Sequence, residues 1–291
     1  MERTKVNKKP DLILCADFHL RDTNPVCRTD NFISAQTKKL NYISDLQFKY
    51  DCPVLHTGDL WDTWKPSPFM ITYAIKYLPK VFWTILGNHD LPQHSLELID
   101  KCGVNTLAEA GRIKIIKGCH WGEVPDEKST IEIKGRSILV WHIMAYQGKK
   151  PWPDCTDPLA AGLLRKYPDW DLITLGHNHK TFHEEHEGRL LVNPGSLMRM
   201  DADQINHKPC VYLWFAEDNT VQKVFLPIED NVISREHIER KEERDNRIDA
   251  FVSRLDGDWE AAMSFEDNLE AFFKANSIRE SVKEIIYKSL E

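Results

Sequence analysis

No stretch of the 291 residues approaches the roughly 18 consecutive apolar positions of a membrane-spanning helix, so no membrane association is expected. The early apolar run Leu12 to Ala16 is too short for the core of a secretory signal and runs straight into Asp17. Cysteine is present but not paired in sequence: the seven stand at 15, 27, 52, 102, 119, 155 and 210, an odd number without a single C-x-x-C. That excludes a disulfide framework and a thiolate zinc knuckle, and the expected compartment is a reducing cytoplasm. Internal repeats and low-complexity tracts are also missing, which excludes solenoids and disordered linkers.

Charge is scarce in one direction only, and only locally. The net charge is −7, yet residues 1–228 hold 28 Lys+Arg against 28 Asp+Glu. Residues 229–291 hold 10 against 17 and so carry the whole excess. An acidic tail does not wrap a nucleic-acid backbone. Two regions follow: a core domain over 1–228 and an acidic helical tail over 229–291.

Within the core, short apolar runs alternate with helical periodicity. "LILCA" (12–16), "CPVLHTGD" and "KVFWTILGNHD" read as strands; 31–50 and 67–78 read as helices, the second opened by Ser67 and Pro68. Strands separated by helices at this spacing pair in parallel. From about residue 113 the strands come closer together: "RIKIIKG", "TIEIKGRSILVWHIM" with a turn near Gly135, "DLITLGHNH", "RLLVNPGSL", and "CVYLWFA"/"VQKVFLPI" around an "EDNT" turn. The expected fold is α/β, two facing sheets flanked by helices, followed by an α-helical tail. In that tail Ile248, Phe251, Val252 and Leu255 form one apolar stripe, and Leu269, Phe272 and Phe273 another.

The strand ends carry the chemistry. They read Asp17-Phe18-His19, Gly58-Asp59, Gly87-Asn88-His89-Asp90, Trp141-His142 and Gly176-His177-Asn178-His179. Residues i and i+2 of an extended chain point the same way, so His177 and His179 can aim at one point. Ligands of open α/β sheets gather at the carboxyl ends of strands. Carboxylates, a carboxamide and imidazoles together suit Mn²⁺, Fe²⁺, Zn²⁺ or Mg²⁺. His183 and His186, among glutamates, read as surface-loop residues, and His56 as a packed strand residue. Cys15 reads as a small buried residue, and Asp62 as either a helix cap or a partner of a ligand.

The order D-x-H, G-D, G-N-H-D, H, G-H-x-H resembles the calcineurin-like metallophosphoesterases. What the resemblance implies is a two-metal site, with Mn²⁺ the expected ion. One cation would be held by Asp17, His19 and His179 and the other by Asn88, His142 and His177, with Asp59 bridging. A metal-bridging hydroxide would attack the phosphodiester. His89 would act at the leaving oxygen, with Asp90 orienting its ring.

"GDLWD", "GNHD" and "NPGSLMR" (193–199) are similar to the SbcD nuclease family, and "DFHLRDTNP" and "WKPSP" look like its short virus-encoded members. The resemblance covers roughly 11–228. It implies a DNA nuclease whose Pro-Gly-Ser turn lies near the site and whose partner is the ABC-type ATPase SbcC. Such nucleases carry a duplex-binding cap, for which the roughly 60 residues after the core leave little room, so single-stranded or frayed DNA ends are the expected substrate. Trp61, Trp64, Lys65, Lys149, Lys150, Trp152 and Arg199 are candidate substrate contacts, because cations mixed with indoles suit strand backbone and base stacking. The tail could dock an SbcC-like ATPase or a second copy of the chain, with Phe272, Phe273, Ile285 and Ile286 as candidate anchors. A small-molecule or cyclic-nucleotide phosphodiesterase stays open as an alternative. A non-catalytic scaffold is disfavoured by the complete ligand set.

Overall fold

The computed structural model describes residues 8–258 and 265–290, leaving out the side chains of 251–258 and 290. Its strands and helices are β1 (Leu12–Cys15), α1 (Phe32–Tyr50), β2 (Val54–His56), α2 (Pro68–Tyr77), β3 (Phe82–Thr84), α3 (Gly103–Glu109), β4 (Lys114–Ile115), β5 (Thr130–Ile133) and β6 (Arg136–His142). There follow α4 (Ala160–Lys166), β7 (Leu172–Gly176), β8 (Phe182–His186), β9 (Arg189–Asn193), β10 (Cys210–Phe215), β11 (Thr220–Phe225), α5 (Glu236–Asp258), α6 (Phe265–Ala275) and α7 (Glu280–Leu290).

Capping explains where the first helices begin. The Asn31 side chain accepts the Ser34 N–H ahead of α1, and Ser67 accepts the Met70 N–H ahead of α2, whose first residue is Pro68. The β5–β6 turn places Lys134 and Gly135 at positive φ, and Asn219 in the β10–β11 turn is left-handed too.

Two sheets form, in strand orders β11-β10-β1-β2-β3-β4 and β5-β6-β7-β9-β8. Strands β1 to β4 run parallel, as do β6, β7 and β9; β10, β11, β5 and β8 pair antiparallel at the flanks. Alternation along β1 shows why its run is wholly apolar. Leu12 and Leu14 enter the core between the sheets, with Leu55, Val140, Leu172 and Trp214. Ile13 and Cys15 enter the core under the helices, with Leu40, Ile43 and Ala74. Leu139, Trp141, Ile173 and Leu175 face the α4 side. The result is a two-sheet sandwich covered by helices, as the sequence leads one to expect.

His183 and His186 lie on β8, an edge strand antiparallel to β9, and not on a loop. All seven cysteines are buried free thiols. Among the described residues no helix is long and apolar enough to cross a membrane.

Packing divides the chain into Met1–Ser234 and Arg235–Glu291. Residues 229–234 stay with the first unit because Thr29 donates to the Val232 carbonyl and Ser234 to that of Cys27. In the second unit Leu269, Phe272 and Phe273 pack with Ile278 and Ile286 into a small core of their own. Phe272, Phe273 and Ile286 are therefore consumed by that core and are not free anchors; Ile285 is 67% exposed. The side chains of Phe251, Val252 and Leu255 lie outside the described residues.

Candidate metal centre

Each strand-end motif delivers its side chain just past the strand. Asp17 and His19 follow β1, Asp59 follows β2, Asn88 follows β3, His142 ends β6, and His177 and His179 follow β7. Asp17, His19, Asp59 and His177 all sit at positive φ, with values of 48, 43, 57 and 81°. Non-glycine residues adopt this region at a cost that the surrounding structure must offset, and four of them gather here. Cross-loop bonds hold them there. Asp17 N–H donates to Gly58 O at 3.2 Å, His19 N–H to Asp59 O at 3.0 Å, and His177 N–H to Asp17 Oδ1 at 2.9 Å.

Two glycines let the loops close. Gly58 has φ +94°, and a Cβ on it would lie 2.6 Å from His142 Nδ1. A Cβ on Gly87 would fall into the Asp59 carboxylate and within 2.5 Å of its backbone nitrogen.

Three groups of donors lie with their atoms within 4.8 Å of one another: Asp17, His19 and His179; His19, Asp59 and His89; Asp59, His142 and His177. His19 Nε2 and His179 Nε2 stand 3.1 Å apart, nitrogen facing nitrogen. Asn88 Oδ1 lies 3.1 Å from His142 Nε2 and 2.9 Å from His177 Nδ1. Asp59 Oδ2 is 3.3 Å from His142 Nε2 and 3.7 Å from His19 Nε2. Asp17 Oδ2 is buried without a hydrogen-bond partner. Lone pairs converging at these separations, with one carboxylate oxygen orphaned, fit divalent cations, whose ligands at about 2.0–2.2 Å are about 3 Å from each other. His142 is preset for this role: its Nδ1–H donates to the Thr57 carbonyl at 2.7 Å, which turns Nε2 inward.

Electrostatics of the protein groups alone follow the same crowding. Burial raises the Asp17 carboxyl to about 6, and burial holds His19 well below the usual imidazole range. Burial opposes a charge on His142, but the adjacent Asp59 carboxylate outweighs it and raises the imidazole to about 9. Burial works against Asp59 in turn, yet the neighbouring imidazoles, His142 foremost, hold it well below the usual carboxylate range. Burial, then His142, lowers His177 to about 4.

His89 is the exposed member of the set. Its Nδ1 meets the Asp62 carbonyl at 2.8 Å, which leaves Nε2 free, and its ring stands edge-on to His19 with centroids 4.7 Å apart. Asp90 does not touch that ring. Its fully buried carboxylate accepts the N–H groups of Leu60, Trp61 and Gly87, so it fastens the β2 and β3 loops together, and the carbonyl of Asp62 orients His89. The Asp62 carboxylate itself pairs with Arg21 at 3.1 Å.

Two expected substrate contacts are structural. Trp61 is 0% exposed, and Arg199, at 5%, donates to the carbonyls of Glu229 and Ile205. Trp64 is half-buried, and Lys65, Lys149, Lys150 and Trp152 are exposed. His56 is buried against Thr84, with Nδ1 and Oγ1 2.9 Å apart. Sequence reading missed Trp121, whose indole lies on His177 with centroids 4.8 Å apart and near His142 at 6.0 Å. Its position in "GCHWGE", between strands, gives no signal of that contact.

The sequence model described as the calcineurin-like phosphoesterase superfamily domain matches residues 11–213. Among solved structures the chain is similar to a novel archaeal phosphodiesterase, at 14% identity and a TM-score of 0.42 over 74% of this chain and 99% of that one. It is also similar to a single mutant of Vps29 from Entamoeba histolytica, at 16% identity and a TM-score of 0.36 over 74% and 99%.

Proposed function

The chain belongs to the calcineurin-like phosphoesterase superfamily, and from that premise we propose that it is a dinuclear-metal-dependent phosphodiesterase acting on DNA, a nuclease of the SbcD type. The observation that carries the two-metal reading is the double membership of Asp59, which shares one donor group with His19 and His89 and another with His142 and His177, while His19 also belongs to the group of Asp17 and His179.

In this reading Asp17, His19 and His179 would hold one cation and Asn88, His142 and His177 the other, with Asp59 available to both. Divalent cations there, with manganese the expected ion, would neutralise phosphoryl charge and make an attacking water more acidic. The protein supplies the rest. Thr57 and Asp62 fix the tautomers of His142 and His89 through their carbonyls. His89, as the imidazolium with its Nδ1–H held by the Asp62 carbonyl, gives its Nε2 proton to the leaving oxygen and is left as the neutral ring. Asp90 keeps the Asp59 and His89 loops in register through three backbone N–H groups.

The SbcD reading is supported by "GDLWD", "GNHD" and "NPGSLMR" and by where the last of these lies. Ser196 N–H donates to the His179 carbonyl and Leu197 N–H to that of Asp17, both at 3.1 Å, so the Pro-Gly-Ser turn abuts two ligands. Trp64, Lys65, Lys149, Lys150 and Trp152 remain proposed contacts to a strand, single-stranded or frayed.

A manganese-dependent activity panel tests the reading, comparing single-stranded DNA, duplex DNA, RNA, cyclic mononucleotides and bis-p-nitrophenyl phosphate. Cleavage of single-stranded DNA that chelation abolishes is the expected result. Efficient hydrolysis of a cyclic mononucleotide with no cleavage of DNA overturns it.

A further inference from the structure

A groove of about 590 Å³ opens beside the rings of His177 and His179 and runs to the edge strand β11. Its size is that of a ligand site, for which roughly 300–1,000 Å³ is usual. Away from the histidines it is lined by Lys180, His207, Lys208, Lys223 and Phe225. Three of these are lysines, and all three are exposed.

The β11 residues explain the far end. Lys223 and Phe225 are i and i+2, so they share a face, opposite Tyr212 and Cys210 of β10. Val221 on that same face packs into the core between the sheets. Further along, Phe225 has no such cover and is 57% exposed. The Lys223 ammonium lies 5.4 Å from the centroid of the Tyr212 ring. Leu226 N–H donates to the Pro209 carbonyl at 2.9 Å, which brings Lys208 alongside Phe225. An uncovered phenyl ring among ammonium groups, in a groove that starts at two metal-facing imidazoles, matches what a nucleotide chain offers: flat bases and spaced phosphates.

Asp201 and Asp203 also line the groove, so cations outnumber carboxylates there only three to two. A duplex demands a broad basic face; stacking plus a few phosphate contacts suffices for one strand. Lys223 and Phe225 lie beyond the segment matched by the family model.

We propose that this groove carries the nucleotides flanking the scissile phosphate of a single DNA strand, with Lys208 and Lys223 on backbone phosphates and Phe225 stacked on a base. This rests on the phosphodiesterase reading of the metal centre.

The test compares wild type, Phe225→Ala and Lys223→Gln with Mn²⁺ on bis-p-nitrophenyl phosphate, which is too small to span the groove, and on a short single-stranded oligonucleotide. Phe225→Ala should lower kcat/KM on the oligonucleotide by about 5- to 150-fold, the worth of one stacked base, and leave the small diester unchanged. Lys223→Gln should reduce the salt slope of oligonucleotide affinity by about 0.7, the share of one phosphate contact on a single strand. Unchanged oligonucleotide kinetics and slope overturn the groove while the nuclease reading stands. Wild-type turnover of the small diester with no DNA cleavage overturns the nuclease reading and the groove with it. If Phe225→Ala loses both activities, Phe225→Trp decides: recovery of DNA cleavage supports stacking, and no recovery overturns it.

Discussion

The carboxylate of Asp59 accepts the backbone N–H of His89 through Oδ1 at 2.8 Å, while Oδ2 faces His142 Nε2 at 3.3 Å. One side chain thus ties the loop carrying His89 to the His142 imidazole. If Asp59 bridges two cations, Asp59→Asn keeps the shape and removes the charge both need. Metal analysis should find two Mn²⁺ per wild-type chain and at most one tightly held in the variant. The second should be weaker by at least about the 10–100-fold loss seen even for outer-sphere partners. Two tightly bound metals in Asp59→Asn exclude the bridge.

His89 is read as a proton donor, although its ring is within reach of His19 and Asp59. His89→Ala should therefore keep both metals and lose about 10²–10⁴-fold in kcat. Full metal content with unchanged kcat refutes the role. Loss of a metal would reassign His89 as a ligand.

Apparent metal affinity should rise with pH, because bound ligands must shed their protons. Beside Asp59, His142 keeps its proton up to about 9 in the metal-free protein, so between pH 6 and 9 binding expels one proton and affinity gains about tenfold per unit. Burial raises Asp17 to about 6, so below that pH a second proton competes and the fall steepens. Without metal, the His142–Asp59 attraction has the opposite sign. It stabilises the fold fully below the ordinary imidazole value of about 6.5 and is lost as pH rises through about 9. Calorimetric titration across this range checks both; an affinity flat between pH 6 and 9 removes His142 from the ligand set.

Gly87→Ala should be costly and Gly162→Ala should not. A Cβ at 87 collides with Asp59, whereas at 162, in α4, the nearest atom is 3.9 Å away. Overpacking costs about 1–3 kcal/mol, and here it also displaces the proposed bridging carboxylate, so metal content should drop along with Tm. Gly162→Ala should gain about 0.5–1 kcal/mol from the stiffer helix. Equal behaviour of the two variants in thermal melts and metal analysis contradicts the close approach.

The sheets and the donor cluster are legible because five strand runs give way, directly or through a glycine, to Asp, Asn or His, and a run such as Leu12 to Cys15 has nowhere to go but a buried strand. What failed was surface reading. Trp61 and Arg199 sit in loops, where exposure is the default, but the first is buried and the second holds the Glu229 segment in place. Strand β8 hides because Phe182 is its one apolar residue, and the other positions of its covered face are Glu184 and His186. Asp90 stands next to His89 in sequence, yet its backbone turns it inward onto Leu60, Trp61 and Gly87. Adjacency in a motif says little about which way a buried carboxylate points.

Every proposed metal donor and both sheets belong to the unit ending at Ser234, while residues from 235 on have their own core of Leu269, Phe272, Phe273, Ile278 and Ile286. Truncation after Ser234 should therefore leave metal content and kcat/KM on a small diester intact. The cut must not fall earlier, since Val232 and Ser234 bond to Thr29 and Cys27. If the acidic helices serve a second copy of the chain or an SbcC-like ATPase, association should weaken at the same time. Exposed Ile248, Val282 and Ile285 are then the apolar positions available to a partner groove. Light scattering across a concentration series, with and without the helices, reads that association directly. A truncated protein that precipitates or melts early would mean that the helices cover apolar surface of their own chain, and the docking role would fall.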